Sequence, residues 1–389
     1  MNITMHGAGQ EVGRSCIEIQ WDDRRFLLDC GIKIGAEAND YPTSVKNVRN
    51  VDAVFLSHAH LDHSGALPLF VHKGLNCPIF CTETTKELAT LMLKDSWKID
   101  RIEKRDMIYA RKSIKQATSM MRLSNHGKYM GMDYKFYHAG HIPGAVSTLI
   151  KYKGKSLLYT GDISGVNAQL VAKHGRYPKA DVLIVESTYG NRQHPDRSTV
   201  EKEFVNIVTD TIDRGGSVLI AAFAIGRSQE MMLLLDKINP KVPIYLDGMS
   251  KATTKIMLRN MHTLRDNRLA QVVKRVDMVT NWERRKQITK QQGIFIATSG
   301  MLDGGPILQY IKSLGHDIKN SLILTGYQAD DSNGRCLLNH GYIVLNQQPF
   351  DVWCPVHHLD FSAHAGESAL HEVIRQVEPK VVITNHGEP

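Results

Sequence analysis

Residues 56–70, LSHAHLDHSGALPLF, contain three histidines and one aspartate within six positions. They follow the apolar run DAVFL (52–56), whose length and composition are those of a buried strand. His58 and His60 are two residues apart, so in extended backbone their side chains point the same way. The stretch therefore predicts a strand that ends in a loop with several potential metal ligands.

Two more ligand candidates, Asp62 and His63, follow where the chain turns toward the predicted helix GALPLFVHKG. One loop thus offers two nitrogens to one metal, and an oxygen plus a nitrogen to a second. Imidazole and carboxylate together suit zinc and, less commonly, manganese. A polar loop with capping histidines would account for one histidine, but it accounts poorly for H-x-H-x-D-H directly after a strand.

Further ligands come from the segments YHAGHIPGA, YTGDIS and TNHGEP. A carboxylate can bridge two metals, and Asp162 is the natural candidate. The first metal is predicted to take His58, His60, His141 and Asp162, and the second Asp62, His63, Asp162 and His386. A hydroxide between metals about 3.5–4 Å apart would be the nucleophile. Asp62, as a ligand of the second metal, is predicted to be catalytic as well.

Two nearby residues receive other predictions. His138, also in YHAGHIPGA, is expected to be structural. Asp29 closes the apolar run FLLD, and we expect it to orient ligand histidines by hydrogen bonds, since metal-binding imidazoles commonly donate their second N–H to a carboxylate.

The composition is that of an ordinary globular protein, with 42% hydrophobic and 23% charged residues in 389. The longest apolar run, SVLIAAFAIG, has ten residues, well short of the roughly 18 that a membrane helix needs. The first residues lack the pattern of a signal peptide, so we expect a cytoplasmic location, reduced cysteines and no membrane partner. A net charge of +8 favours a polyanionic partner.

Short β-branched runs alternate with amphipathic segments along the whole chain, which predicts an α/β protein. The polar residues of interest follow the strands, where open α/β sheets place their ligand sites. They fall in two separate parts of the chain. We therefore predict a first domain at 1–190 that resumes at 356–389, with a second domain, 191–355, inserted into it.

The ordered motifs resemble the metallo-β-lactamase superfamily. GAGQEVGRSCIEI, SHAHLDHSGALP, LLYTGDIS, IVESTYGNR, ATSGML, DFSAHA and NHGEP resemble its β-CASP ribonuclease branch. The pattern is most similar to the archaeal homologues, without KH domains, of the endonuclease subunit of the cleavage and polyadenylation specificity factor. RNase J is a more distant relative. The resemblance implies an αββα sandwich that carries an inserted α/β β-CASP domain.

The resemblance also implies roles for three residues. Glu186 matches an acidic residue at a strand end, and His364 matches a histidine in DFSAHA. His386 matches a third position, where the family has a metal ligand and where histidine accompanies RNA substrates. His364 would then be the general acid for the leaving oxygen, with Glu186 orienting its ring. Without this context, a helix-capping role would explain His364 equally well.

Phosphate contacts are predicted in turns that precede helices, because free N–H groups there favour anions. The candidates are Arg227, Ser299, Gly300 and Ser362. Each is explained as well by an ordinary strand-to-helix turn. The basic run formed by Lys274, Arg275, Arg284, Arg285 and Lys286 favours a solvated helix face over an RNA track.

The predicted function is a ribonuclease with two zinc ions that acts on single-stranded RNA as a 5′→3′ exonuclease, an endonuclease or both. Alternatives are a small-molecule hydrolase for thioesters or lactams, and an inactive scaffold of a cleavage complex. A homodimer and an RNA-processing complex are expected partners. Members of the family usually continue beyond His386, so the resemblance leaves open whether a C-terminal dimerisation element follows this sequence.

Overall fold

The computed structural model describes residues 1–35 and 39–389. Backbone contacts divide them into two compact units. The first unit comprises Met1–Asn167, Lys173–Gln193 and Ala363–Pro389, and the second comprises Ala168–Ala172 and His194–Ser362. The domain boundaries 1–190, 191–355 and 356–389 stay a prediction. No helix in the described ranges is both long and apolar enough to cross a membrane.

The strands are short, with three to seven residues each. They are β1 Asn2–Gly7, β2 Cys16–Trp21, β3 Arg24–Leu28, β4 Ala53–Phe55, β5 Ile79–Cys81, β6 Met121–Leu123, β7 His126–Tyr129, β8 Met132–His138, β9 Val146–Tyr152, β10 Lys155–Tyr159, β11 Val182–Glu186, β12 Val218–Ala221, β13 Ile244–Asp247, β14 Val276–Met278, β15 Ile294–Ala297, β16 Ser321–Leu324, β17 Tyr342–Leu345, β18 Gln348–Asp351, β19 Val356–His358 and β20 Val381–Asn385.

The helices lie mainly between strands, as the alternating pattern predicts. They are α1 Leu61–Ser64, α2 Leu67–His72, α3 Glu83–Ile102, α4 Arg111–Met120, α5 Arg197–Asp213, α6 Arg227–Ile238, α7 Ser250–Arg259, α8 Arg268–Val272, α9 Trp282–Ile288, α10 Ile307–Leu314, α11 Asn333–His340 and α12 Glu367–Val377. Short 3-10 turns occupy Val48–Asn50, Met261–Thr263 and Val273–Arg275.

The first unit contains two six-stranded sheets, ordered β1-β2-β3-β4-β5-β6 and β20-β11-β10-β9-β8-β7. Their inner faces share one apolar core, in which the rings of Phe55 and Tyr134 meet at 5.3 Å between centroids. The first unit therefore forms a sandwich of two sheets, and α12 packs on β11. This confirms the predicted α/β sandwich.

Strand β4 explains the unbroken run DAVFL. It pairs in parallel with β3 and β5, and all three of its residues are buried. A strand covered on both faces needs apolar side chains on both, so the alternation of an exposed strand is absent. After β4, His60 accepts backbone hydrogen bonds from His63 and Ser64, which closes the helical turn α1. Asp62 and His63 thus lie on a helical turn of their own, directly before helix α2.

The second unit is built on a sheet ordered β14-β13-β15-β12-β16-β19, in which every neighbouring pair is parallel. The carboxyl ends of all six strands consequently lie along the same edge of the sheet. Strands β17 and β18 form a separate hairpin.

Candidate metal centre

The predicted metal ligands all belong to the first unit and follow the ends of its strands. His58 and His60 come after β4, His141 after β8, and Asp162 after β10. The helical turn α1 carries Asp62 and His63, and His386 directly follows β20. Strands fixed in two packed sheets thus bring side chains that are distant in sequence to one place.

One group of four side chains coincides with the set predicted for the first metal. The ligand atoms of His58, His60, His141 and Asp162 lie within 4.8 Å of one another. His60 Nδ1 is 3.1 Å from His58 Nε2 and 3.1 Å from His141 Nε2. Asp162 Oδ2 lies 3.5 Å from His58 Nε2.

The residues predicted for a second metal are neighbours too, but their grouping is broader. Asp62 Oδ2 lies 3.3 Å from His386 Nε2, and Asp162 Oδ1 lies 3.3 Å from His63 Nε2. By mutual distance, Asp62 and His63 group with His58. His386 groups with Asp162 and with two residues for which the sequence predicts other roles, Glu186 and His364.

Three buried polar atoms test whether the pocket suits a cation. Both carboxylate oxygens of Asp162 and Nε2 of His63 are buried and have no hydrogen-bond partner among the described residues. A buried carboxylate without partners is costly, because its charge has left water. Bound metal ions would satisfy these three atoms, so the donor set fits a zinc-type centre.

The electrostatics of the pocket agree with metal binding. Burial lowers the pKa values of His58 and His141 well below the ordinary histidine range, which keeps these rings neutral. Burial opposes ionisation of Asp162, but the charges of His63 and His386 outweigh it and hold its pKa well below normal. Neutral imidazole and ionised carboxylate are the forms that bind metals.

His63 shows where positive charge is favoured. Burial lowers its pKa, but the carboxylates of Asp162, Asp29 and Asp62 together raise it well above the ordinary value. Metal binding through His63 would replace the proton that this raised pKa favours, so proton release would accompany it.

Asp29 is fully buried, and its carboxylate holds the His63 ring by a hydrogen bond. Its Oδ2 accepts from His63 Nδ1 at 2.7 Å, from the Ser57 hydroxyl at 2.7 Å and from the Tyr159 hydroxyl at 2.6 Å. Its Oδ1 accepts from the Ser57 backbone N–H at 2.7 Å. Sequence reasoning did not single out Ser57 or Tyr159. The only sequence feature that could have identified these two residues is a polar side chain at or just after the end of a buried strand.

Two further contacts orient ligand histidines. His141 Nδ1 donates to the carbonyl oxygen of Ala363 at 3.0 Å. His386 Nδ1 lies 3.1 Å from the Thr188 hydroxyl, which donates to the His386 carbonyl at 2.9 Å. Neither Ala363 nor Thr188 is identifiable from the sequence, because each is defined by a partner about 200 residues away.

Glu186 and His364 form a pair beside Asp162. His364 Nδ1 donates to Glu186 Oε2 at 2.8 Å, and the other oxygen of Glu186 accepts from the Ile163 N–H at 2.7 Å. His364 Nε2 lies 4.0 Å from Asp162 Oδ2. Burial lowers the pKa of His364, but Glu186 and Asp162 outweigh it and raise the pKa to about 9. His138 belongs to none of the ligand groups found in the described chain, and its carbonyl accepts from the Gly175 N–H.

The predicted phosphate contacts all lie in the second unit, after carboxyl ends of its parallel strands. Arg227 follows β12, Ser299 and Gly300 follow β15, and Ser362 follows β19. They share one edge of the sheet.

One premise of that prediction is wrong. The N–H groups at the start of α6 are not available to an anion as expected. The amide of Gly226 donates to Gln229 Oε1, that of Arg227 to Ile225 O, and that of Ser228 to Phe223 O. Any phosphate contact made by Arg227 must therefore come from its guanidinium.

The predicted basic run is engaged in ion pairs but is not one helix face, because Lys274 and Arg275 lie in a 3-10 turn and the other three residues lie in α9. Arg285 Nε donates to the buried carboxylate of Asp247 at 2.7 Å, and Arg275 pairs with Asp236 at 2.9 Å. Arg284 pairs with Asp277.

A sandwich of two sheets with histidines and aspartates gathered at its strand ends defines a metallo-hydrolase of the β-lactamase type. Family models agree with this class. The Beta-lactamase superfamily domain matches residues 24–220, the Beta-Casp domain 228–337, and the Zn-dependent metallo-hydrolase RNA specificity domain 350–389. The chain belongs to the metallo-β-lactamase superfamily and to its β-CASP branch.

Several archaeal proteins are similar over the whole chain. "Probable RNase MJ4" of Methanocaldococcus jannaschii is 43% identical over 400 residues, covering 100% of this chain and 93% of the relative. "RNase aCSPSF2" of Saccharolobus solfataricus is 35% identical over 397 residues, covering 98% and 78%. "Transcription termination factor FttA" of Methanocaldococcus jannaschii is 34% identical over 432 residues, covering 100% and 67%.

A solved structure supports the fold alone. The crystal structure of a protein of unknown function from Enterococcus faecalis V583 superposes with a TM-score of 0.63 at 15% identity, covering 99% of this chain and 93% of the other.

Proposed function

We propose that this protein is a metal-dependent ribonuclease of the β-CASP branch. The observation that carries the proposal is the cluster around Asp162. Its buried oxygens have no hydrogen-bond partner among the residues that the structure describes, and histidines from separate strand ends surround them. Relatives named as RNases that match the chain over most of its length support RNA as the substrate.

The proposed cofactor is a pair of zinc ions, with manganese as the alternative. His58, His60, His141 and Asp162 would hold one ion, and Asp62, His63, Asp162 and His386 the other. Bound zinc supplies Lewis-acid activation for hydrolysis of the phosphodiester.

The protein's own residues divide the remaining work. Glu186 accepts from Nδ1 of His364, which fixes the ring and leaves Nε2 on the side of Asp162. From there, His364 Nε2 donates a proton to the leaving oxygen as general acid. Asp62 lies beside His386 and would act in catalysis as a ligand of the second ion.

Asp29→Asn is expected to lower metal affinity or activity by about 10- to 100-fold. The amide cannot accept from both His63 Nδ1 and the Tyr159 hydroxyl in the way the carboxylate does, so the His63 ring loses its fixed orientation. Zinc titration of the variant beside the wild type measures the effect. Unchanged zinc affinity and activity would remove the orienting role.

We propose that RNA is held as a single strand through phosphate contacts by Arg227, Ser299, Gly300 and Ser362. The net charge of +8 supports a polyanionic ligand. Both 5′→3′ exonuclease and endonuclease activity are proposed, because groups that grip a terminal phosphate would also grip an internal one. A homodimer, a cytoplasmic location and membership of an RNA-processing complex stay predictions.

The test uses one RNA labelled at its 3′ end and supplied with a 5′-monophosphate, with a 5′-triphosphate or as an internally labelled circle. We expect cleavage that a chelator abolishes and added zinc restores. A stepwise ladder from linear RNA with the circle untouched would leave only the exonuclease. Equal cutting of circle and line without mononucleotides would leave only the endonuclease.

A chromogenic lactam in the same assay separates the alternatives. Turnover of the lactam alone would favour a small-molecule hydrolase, and turnover of neither the lactam nor RNA would favour an inactive scaffold.

The FttA relatives favour a second candidate function, a role in transcription termination. Cleavage of nascent RNA in a transcription complex, with free RNA left intact, would support it over a general ribonuclease.

A further inference from the structure

The loop after β16 in the second unit presents a half-exposed aromatic ring. Tyr327 is 50% exposed and lies three residues beyond the end of the strand at Leu324. Because the sheet is parallel, this loop lies at the same edge as the loops that follow β12 and β15. The loop after β12 leads into α6 at Arg227, and the loop after β15 contains the Ser299–Gly300 turn.

The backbone on both sides of Tyr327 is held in place. The carbonyl of Gly326 accepts from His358 Nε2 at 2.9 Å and from Gln328 Nε2 at 3.0 Å. On the other side, the carbonyl of Gln328 accepts from Arg335 at 2.9 Å. The backbone beneath the ring is therefore fixed, and little backbone entropy remains to be lost when a ligand packs on the ring.

The same loop is fastened to the Ser299–Gly300 turn. The buried carboxamide of Gln328 also donates to the Gly300 carbonyl at 3.0 Å. Both glycines, Gly326 and Gly300, pack against Phe223, where an added Cβ would come within 3.1 Å of the ring. Tyr327 and the predicted phosphate turn are thus parts of one rigid assembly.

We propose that Tyr327 is a stacking platform for a nucleobase of the bound single strand, next to a phosphate held at the Ser299–Gly300 turn. This inference rests on the proposed ribonuclease function. Every base has a π-face, so an exposed aromatic ring beside phosphate contacts grips RNA without reading its sequence. Tyr327 is a positioning residue that holds one nucleotide in register.

A single exposed aromatic residue is common on protein surfaces and needs no function. Trp353 shows this case in the same unit. It is 61% exposed, but its ring stacks on His316 at 4.3 Å between centroids, and it precedes β19 at the amino-terminal edge of the sheet. Trp353 lies away from the phosphate turns and serves as the matched control.

The experiment measures binding of a short single-stranded RNA to the full chain carrying Asp62→Asn, so that the RNA is not cut. Tyr327→Leu should raise Kd about 5- to 100-fold, the usual effect of losing one stacked base, while Tyr327→Phe stays within about twofold. Trp353→Leu should bind as the parent. The salt dependence of Kd should keep its slope in Tyr327→Leu, because no phosphate contact is lost, whereas Arg227→Gln should reduce it by about 0.7.

An RNA series with one abasic nucleotide at each position locates the stacked base. One position should weaken binding in the parent and have no effect in Tyr327→Leu, as a double-mutant cycle requires for a direct contact. Equal affinity of Tyr327→Leu and parent, or abasic effects that simply add, would overturn the platform alone. Wild-type protein that neither binds nor cleaves RNA would overturn the ribonuclease proposal and the platform with it.

Discussion

Asp162→Asn is expected to lower RNA cleavage by about 10³-fold or more, because metal activation contributes several kcal/mol to the barrier and each 1.4 kcal/mol is tenfold. Zinc should fall from about two ions per chain to one or fewer, since Asp162 is the ligand proposed to bridge both. Asparagine keeps the shape of the side chain but removes the charge and one acceptor oxygen. Elemental analysis and single-turnover cleavage measure the two effects.

The stability of the variant gives a second readout. Metal that binds only the folded state raises the thermal midpoint, so added zinc should stabilise the wild type more than Asp162→Asn. Asp133→Asn is a matched control, because Asp133 is an exposed carboxylate of the same unit that pairs with Lys128. Wild-type zinc content and rate in Asp162→Asn would show that this carboxylate is not a ligand.

His364→Ala is expected to slow RNA cleavage by about 10²- to 10⁴-fold, the range for loss of a general acid. Zinc content should not change, because the ring is held by Glu186 and is not among the proposed ligands. His126→Ala is a suitable control, since His126 is an exposed histidine on β7 of the same unit. Loss of a zinc ion from His364→Ala would reassign the residue as a ligand.

The leaving group separates an acid from a merely structural histidine. A phosphodiester with a p-nitrophenolate leaving group needs no proton donor, so His364→Ala should cleave it at a rate close to wild type. An equal loss on both substrates would mean that the substitution disturbs the site as a whole.

The clustering of the candidate metal ligands was predictable from the sequence because the information is local. His58, His60, Asp62 and His63 fall within six residues, and a strand directly precedes them. His141, Asp162 and His386 each follow a short apolar run, and in α/β folds such strand ends converge. The strands themselves were predictable for the same reason, since an apolar run bounded by polar or glycine residues is a local signal.

Contacts between distant residues were not predictable in this way. The sequence alone did not show that Glu186 accepts from His364, since 178 residues separate them, and only the family resemblance suggested that pair. Ser57 and Tyr159 were missed because each gains its role through Asp29, a neighbour in space only. The internal hydrogen bonds at the start of α6 were missed because the N-cap is Gly226 and not the Ser or Thr of the usual capping-box pattern, although Gln229 supplies the acceptor.

The sequence by itself thus determined the class of the protein, several of its strands and the side chains proposed as metal ligands, because residue type and spacing carry that information. Only the tertiary structure decided which residues from distant parts of the chain come into contact. It grouped His386 with Glu186 and His364 as well as with Asp162, and it fastened Tyr327 beside the Ser299–Gly300 turn. Such contacts depend on sheet order and on the packing of loops from remote parts of the chain. The hydrogen bonds between these loops form only when the fold has brought them together.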